Sequence, residues 1–204
     1  MLIRTPYVLV AHLSVAANTA LELIALAKAN PGKLSYASPG NGTGSHLSME
    51  SFKASTKTDI KHIPYKGSSP AVADLLAGHV QLLFEPVASV GSHVKSGKLK
   101  ALAVGSDKRI GNLPDVPTFV ESGVPEFEPV FGWFGAAVPT RTPPEIIAKL
   151  NAAFVTALNT VKARLTEEHG IVVMPTTPEN FGAFIRSEIP RFGKIIAVSG
   201  TKID

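Results

Sequence analysis

Cysteine is absent from the sequence, and its absence excludes several kinds of chemistry at once. Without a thiol the chain forms no disulfide, carries no cysteine nucleophile and offers no thiolate to a metal ion. The compartment in which the protein works is left open by this observation, because a cysteine-free chain is compatible with reducing and oxidising surroundings alike.

Long apolar runs and a strong charge imbalance are also missing. No run approaches the ~18 residues that a membrane-spanning helix needs, and the first residues, Met1-Leu2-Ile3-Arg4, contain no apolar segment of the signal-peptide kind. The 20 basic and 16 acidic residues give a net charge of only +4. Two lysine groups lack the interleaved aromatics of a nucleic-acid surface, so we assign them to solvated faces and expect no nucleic-acid partner. These groups are Lys57, Lys61 and Lys66, and Lys95, Lys98 and Lys100.

The apolar content is ample, since 45% of the 204 residues are hydrophobic, which supports a buried core in one or two domains. A capping box formed by Thr19 and Glu22 predicts a helix that Asn30-Pro31-Gly32 ends. Further helices are predicted after Gly44, from Ser69-Pro70, before Gly97, from Pro143 to Leu158, before Gly170 and from Thr177-Pro178. Strands are predicted at 7–11, 34–37, 60–65, 80–84, 99–104, 130–138 and 171–174. This alternation predicts an α/β fold with mostly parallel sheets.

One glycine-rich loop stands between a predicted strand and a predicted helix. Gly40, Gly42 and Gly44 occupy alternate positions in the stretch Ser38-Pro39-Gly40-Asn41-Gly42-Thr43-Gly44-Ser45. Glycine allows positive φ and close approach of a ligand to the backbone. The N–H groups of such a loop, with those of the helix start, can hold an anion. The loop therefore predicts a site for a small carboxylate or phosphate, and the alternative is a turn that only caps the helix.

The loop does not match the better-known phosphate and nucleophile motifs. A dinucleotide fingerprint would need glycine at the position of Ser45, and a P-loop would need a closing Gly-Lys-Ser/Thr. A nucleophile elbow would need glycine two residues before and after the serine, which Ser45 does not have. We therefore expect neither a nucleotide cofactor nor a covalent reaction here.

Two more segments should lie at the same edge of the sheet. In an open parallel sheet, ligands bind beyond the carboxyl ends of the strands. Tyr65-Lys66-Gly67 and Glu85-Pro86 each follow a predicted strand, as the glycine loop does. We expect Tyr65 to orient a ligand through its hydroxyl, and the convergence of the three segments favours binding over ordinary loop structure.

Residues for catalysis or metal binding do not form a recognisable set. His46 and Glu50 are four residues apart on one predicted helix face, but this pair lacks the further ligands of a metal site. Asp74 and Glu85 are the acids near the proposed edge, and no Ser–His–Asp set is apparent. We expect no catalytic residues, no metal and no cofactor.

Four stretches of the sequence form a characteristic combination that covers almost the whole chain in order. The stretches are VLVAHLSVAANTALELIALAKANPGKLSYASPGNGTGSHL, HIPYKGSSPAVADLLAGHVQLLFEPV, GKLKALAVGSDKRIGNLPDVPTFVESGVPEFE and GWFGAAVPTRTPPEIIAKLN. Together they resemble the Bug-type (TctC-like) substrate-binding proteins of tripartite tricarboxylate transporters.

The resemblance implies a periplasmic-binding-protein-like (type II) fold, in which two lobes close on a small organic acid or an amino-acid carboxylate. Such periplasmic proteins deliver their ligand to a membrane permease. The family often has aspartate where this chain has Glu85. The ligand-binding residues implied for this chain are Ser38, Gly40, Asn41, Gly42, Thr43, Tyr65, Lys66, Gly67 and Glu85.

The family pattern also contains segments without a counterpart in this sequence, namely a signal peptide, a strand and a Pro/Gly-rich loop. We therefore expect an N-terminally truncated protein with a nearly complete ligand-binding lobe at 12–127. Residues 1–11 and 128–204 would form an incomplete second lobe, whose uncovered apolar strand favours self-association. The sequence leaves two functions open, a carboxylate-binding protein or fragment and a non-binding remnant. An enzyme acting on an anionic substrate has little support.

Overall fold

Residues 1–128 and 130–199 are described by the computed structural model of the chain, and within them the elements form two sheets flanked by helices. The strands are β1 (Ile3–Thr5), β2 (Tyr7–Ala11), β3 (Ser35–Ser38), β4 (Lys61–Pro64), β5 (Leu82–Pro86), β6 (Lys100–Val104), β7 (Gly132–Phe134) and β8 (Val172–Val173). The helices are α1 (Ala20–Ala29), α2 (Gly44–Thr56), α3 (Ser68–Leu76), α4 (Val87–Lys95), α5 (Pro144–His169) and α6 (Pro178–Ser199).

The larger sheet has five strands in the order β4-β3-β5-β2-β6 and is mixed rather than mostly parallel. Strand β3 is parallel to β4 and β5, whereas β2 is antiparallel to both of its neighbours, β5 and β6. The helical crossovers after β3, β4 and β5 keep those strands and β6 pointing one way, as the sequence predicted. Strand β2 is reversed because the chain enters it directly from β1, at the edge where the other strands end: Tyr7 lies opposite Pro86.

The smaller sheet is antiparallel, in the order β7-β1-β8. Pro6 alone separates β1 from β2, so the chain passes from one sheet to the other within a single residue. Strand β2 lies inside the five-stranded sheet, although it precedes residue 12, where the ligand-binding lobe is expected to begin. The physical reason is that Val8–Ala11 is fully buried and needs strand partners on both sides.

The core consists of two apolar layers, one on each face of the five-stranded sheet. Alternate residues of β2 point into opposite layers, with Leu9 on one side and Val8 and Val10 on the other. The first layer contains four mutually packed phenylalanine rings with centroid separations of 4.5–6.2 Å. These are Phe52, Phe84, Phe119 and Phe127.

Two helices differ from their predicted extents. Helix α3 begins at Ser68, one residue after Gly67, rather than at the predicted Ser69-Pro70 cap. Helix α5 is a single 26-residue helix, where two were predicted, because the chain meets no helix-breaking residue before Gly170, which ends it at φ 65°. None of its residues is buried. Among the described helices, none combines the length and apolarity needed to cross a bilayer.

Candidate ligand-binding site

The structure brings the glycine loop and the Tyr65-Lys66-Gly67 segment together at one edge of the five-stranded sheet. The N–H of Tyr65 donates to the carbonyl of Ser38 at 2.9 Å, and the N–H of Gly67 donates to the carbonyl of Pro39 at 2.9 Å. Strand β5, which ends in Glu85-Pro86, lies beside β3 and reaches the same edge. The predicted convergence of these three segments is therefore present in the geometry.

The glycine loop is held by bonds within itself. Thr43 caps α2, and its hydroxyl also donates to the carbonyl of Gly40 at 2.8 Å. The N–H of Gly40 donates to Ser38 Oγ at 3.2 Å. Gly42 has a φ of 72°, and its N–H donates to His46 Nδ1 at 3.0 Å. These contacts fix the loop and use two of the N–H groups that the sequence analysis assigned to a ligand.

Other N–H groups of the loop are left available. Within the described part of the chain, the N–H groups of Asn41, Gly44 and Ser45 have no hydrogen-bond partner. Gly44 and Ser45 are the first two residues of α2, where the partial positive charge of the helix is concentrated. The part of the loop suited to an anion is therefore centred one or two residues later than the glycine spacing predicted.

Two histidines that the sequence did not assign to the ligand site lie behind the loop. His46 and His62 stack with ring centroids 4.0 Å apart, and His62 also stacks on Tyr36 at 4.7 Å. His62 Nε2 lies 2.6 Å from Ser38 Oγ. Burial lowers the pKa of both imidazoles, that of His62 to about 4. Neutral rings suit the loop, because His46 accepts the Gly42 N–H only with an unprotonated Nδ1. No spacing in the sequence marks this contact, because Gly42 precedes the helix that carries His46.

The pair formed by His46 and Glu50 does not resemble a metal site. Glu50 accepts the hydroxyl of Tyr36 at 2.5 Å and forms an ion pair with Lys53 at 2.6 Å. In the described ranges no group of three or more histidine, aspartate or glutamate side chains is placed to hold a metal ion.

The second segment offers less to a ligand than its sequence indicated. The hydroxyl of Tyr65 donates to Asp74 Oδ2 at 2.6 Å, so its proton is directed at a carboxylate of the protein. Lys66 is exposed to solvent. Gly67 has a φ of 112° and open space around the position of a Cβ atom, so its conformation, rather than crowding, favours glycine.

Glu85 is the most unusual polar group at this edge. It is 1% exposed, and its Oε2 has no hydrogen-bond partner among the described residues. Burial raises the pKa of its carboxyl, and the nearby hydroxyls of Ser68 and Ser89 offset part of that effect. Burial, reinforced by the charge of Glu85, also raises the pKa of Tyr7 to about 12. The site therefore favours neutral forms of both groups.

Tyr7 was not predicted to belong to the site, and Gly44 shows why it does. A Cβ atom at Gly44 would lie 2.5 Å from the hydroxyl oxygen of Tyr7. The third glycine of the loop therefore lets the helix start approach the first residue of β2. No sequence pattern links residues so far apart.

Replacing Glu85 with glutamine tests the state of this carboxyl. A native pKa above the unfolded value means that the stability contributed by the proton is present at low pH and lost as pH rises through the native pKa. Glu85→Gln does not titrate, so at pH 7.5 it should raise the unfolding free energy by about 1 kcal/mol, or about 2–4 °C in Tm. At pH 3.5 the gain should vanish. The exposed Glu126→Gln serves as the control, and a variant less stable than the wild type at pH 7.5 would contradict the assignment.

Comparison with known proteins decides the family. Residues 1–201 match the profile described as "Tripartite tricarboxylate transporter family receptor". The chain belongs to the tripartite tricarboxylate transporter receptor family. This finding confirms the Bug-type resemblance, and the fold is that of this family's periplasmic binding proteins.

Two curated relatives illustrate the similarity of this family member. Protein BugT of Bordetella pertussis is 37% identical over 199 residues, which are 97% of this chain and 61% of BugT. A UPF0065 protein from the tcbD-tcbE intergenic region of Pseudomonas sp. (strain P51) is 38% identical, over 86% of this chain and 52% of that protein. The chain thus spans about half to three-fifths of the length of these relatives.

Solved structures of the receptor family agree with the fold. The R. palustris protein Rpa4515 with adipate superposes with a TM-score of 0.89 at 31% identity, over 98% of this chain and 67% of that one. MatC from Rhodopseudomonas palustris with bound malate gives a TM-score of 0.81 at 29% identity, over 95% of this chain and 67% of MatC. The periplasmic binding protein BugD gives 0.85 at 31% identity, over 98% of this chain and 67% of BugD.

Proposed function

We propose that the chain is the ligand-binding part of a periplasmic receptor, which holds a small carboxylate and passes it to the membrane permease of a tripartite tricarboxylate transporter. The related structures of Rpa4515 with adipate and of MatC with bound malate support a dicarboxylate or a similar organic acid. No turnover is expected, because the relatives are described as receptors and binding proteins.

One observation carries this proposal. The N–H groups of Asn41 and of the first two residues of α2, Gly44 and Ser45, have no partner among the described residues and lie at the edge where β3, β4 and β5 end. Backbone donors at a helix start bind a carboxylate without a formal positive charge. Binding by such neutral donors is readily reversible, which a receptor that must release its ligand requires.

Glu85 extends this site in a way that depends on its protonation. An ionised Glu85 would repel a carboxylate ligand, whereas the neutral form, favoured by its burial, can donate a hydrogen bond to one. The carboxyl is fully buried at the end of β5, with Oε2 unpaired in the described structure. We assign it to recognition rather than to catalysis.

The second wall of the site is assigned to the smaller sheet. Gly132, in β7, lies close to β2: a Cβ atom there would be 3.6 Å from the hydroxyl of Tyr7. Tyr7 in turn touches the start of α2 at Gly44. The two sheets therefore meet at the edge that carries the loop, as closure of two lobes on one ligand requires.

Titration calorimetry with adipate and malate tests the proposal, and the uncharged diamide of each acid serves as the control at the same ionic strength. We expect one of the acids to bind with one-to-one stoichiometry and neither diamide to bind. Mass spectrometry of the acids after incubation should return them unchanged. A chain that melts cooperatively but binds no acid in a broad carboxylate screen would favour the alternative, a non-binding remnant.

Self-association is a second part of this proposal. Ile146, Leu150 and Phe154 form an apolar stripe on α5, and each is 38–40% exposed. Leu150 and Phe154 also line a groove of about 270 Å³ shared with Phe181 and Ile185 of α6. Strand β7 pairs on one side only within the described residues. We assign this face to contact with a second copy of the chain.

Light scattering coupled to size exclusion is expected to show dimers or larger species of the 21.5 kDa chain. The double variant Leu150→Gln/Phe154→Gln should shift the distribution to the monomer, because it removes apolar surface from the contact. Val120→Gln changes a residue that is 66% exposed elsewhere and should have no effect. A monodisperse wild-type monomer at micromolar concentration would contradict this assignment.

A further inference from the structure

A second pocket lies at the junction of the two sheets, away from the proposed carboxylate site. It has a volume of about 490 Å³ and is lined from β1, from the 105–111 loop that follows β6, and from the end of α5. None of the residues assigned to the carboxylate site lines it. Four cationic side chains do: Arg4, Lys108, Arg109 and Arg191.

Arg4 is the feature of this pocket that the fold does not explain. Its guanidinium lies over the ring of Phe131 at 4.3 Å and near that of Phe184 at 5.4 Å. Its Nε is buried and has no hydrogen-bond partner in the described structure. Aromatic faces stabilise the positive charge but do not accept in-plane N–H bonds, so the Nε–H donor is desolvated without compensation.

The other two arginines of the pocket, Arg109 and Arg191, differ from Arg4 in having carboxylate partners. Arg109 Nε donates to Glu121 at 3.0 Å. Arg191 pairs with Glu188 at 3.1 Å and with Glu128 at 3.4 Å. Lys108 is exposed, and Asp107 and Glu128 are the acids of the lining. Among the described residues Arg4 forms no ion pair with a carboxylate, in contrast to Arg109 and Arg191.

We propose that this junction pocket binds a small oxyanion, a carboxylate or phosphate group, through the guanidinium of Arg4. The planar fork of arginine matches the oxygens of both groups, and Lys108 adds positive charge at the mouth. Arg4 belongs to the smaller sheet and Lys108 follows the larger one, so an anion bound by both contacts segments of both sheets at their junction. Occupancy therefore stabilises one relative arrangement of the two sheets, independently of the carboxylate site.

Titration of the 204-residue chain with inorganic phosphate, and separately with acetate, tests this site. Sodium chloride keeps the ionic strength constant, and Gly42→Val provides a background in which the carboxylate site is disabled. Saturable one-to-one binding of at least one anion should persist in that background. Arg4→Gln should weaken it at least tenfold, since a hydrogen bond to a charged group contributes about 1.5–3 kcal/mol. Arg4→Lys should give an intermediate affinity, and the exposed Arg141→Gln should match the wild type.

Thermal melts without anion separate loss of binding from loss of folding. If Arg4→Gln does not melt cooperatively, anion binding is measured on Lys108→Gln instead. A two- to fivefold weaker affinity of that variant supports the site. Absence of saturable binding of both anions, or unchanged affinity in a folded Arg4→Gln, would overturn the proposal. This test is independent of carboxylate binding at the glycine loop, because the two sites are measured with different variants.

Discussion

Gly42→Val is expected to reduce the affinity for adipate or malate at least 100-fold while leaving the chain folded. Gly42 has a φ of 72°, a conformation that a β-branched side chain adopts only with strain. Relief of that strain would turn the peptide that donates to His46 and move the neighbouring N–H of Asn41 away from the ligand. Calorimetry on the variant and the wild type, at equal ionic strength, measures the effect.

A matched control is available elsewhere in the chain. Gly97 has a φ of 69° and nothing within 4 Å of a Cβ position, so Gly97→Val introduces similar backbone strain far from the loop. Both variants should lose about 1–2 kcal/mol of stability. Only Gly42→Val should lose binding, and an affinity within threefold of the wild type would remove the loop from the site.

Phe52→Ala is expected to lower the free energy of unfolding by about 3–5 kcal/mol, or roughly 6–20 °C in Tm. Phe52 is fully buried on α2 and contacts the rings of Phe84, Phe119 and Phe127 at 5.5–6.2 Å. The substitution leaves a cavity bounded by elements from three parts of the chain, which cannot all close on it. Urea unfolding monitored by circular dichroism gives the value.

An exposed phenylalanine supplies the comparison for this stability measurement. Phe134 is 60% exposed at the end of β7, so Phe134→Ala should cost less than about 1 kcal/mol. Equal losses for the two variants would show that the four-ring cluster does not dominate the core. A changed urea slope in Phe52→Ala would indicate that the unfolding is no longer two-state.

The sequence alone located the glycine loop, its helix and the three segments that meet at the sheet edge. It could do so because turn chemistry and strand ends are local: the glycine-rich stretch follows a predicted strand and precedes a predicted helix, and β3 and α2 flank it in the structure. The direction of β2 in the sheet could not be predicted from the residues of that strand. It follows from the single residue between β1 and β2, which fixes where the strand enters the larger sheet.

Within the site, sequence determined which residues are present and tertiary structure decided what each one does. The alternate glycines predicted an anion site. In the fold, however, the N–H of Gly42 donates to His46, and Gly44 allows Tyr7 to approach the start of α2. Glu85 was one of the acids expected near this edge, and only the fold showed that it is buried at the end of β5, which raises the pKa of its carboxyl. The spacing of residues along the sequence predicts contacts between residues a few positions apart. Desolvation and long-range packing depend instead on segments that meet only when the chain has folded.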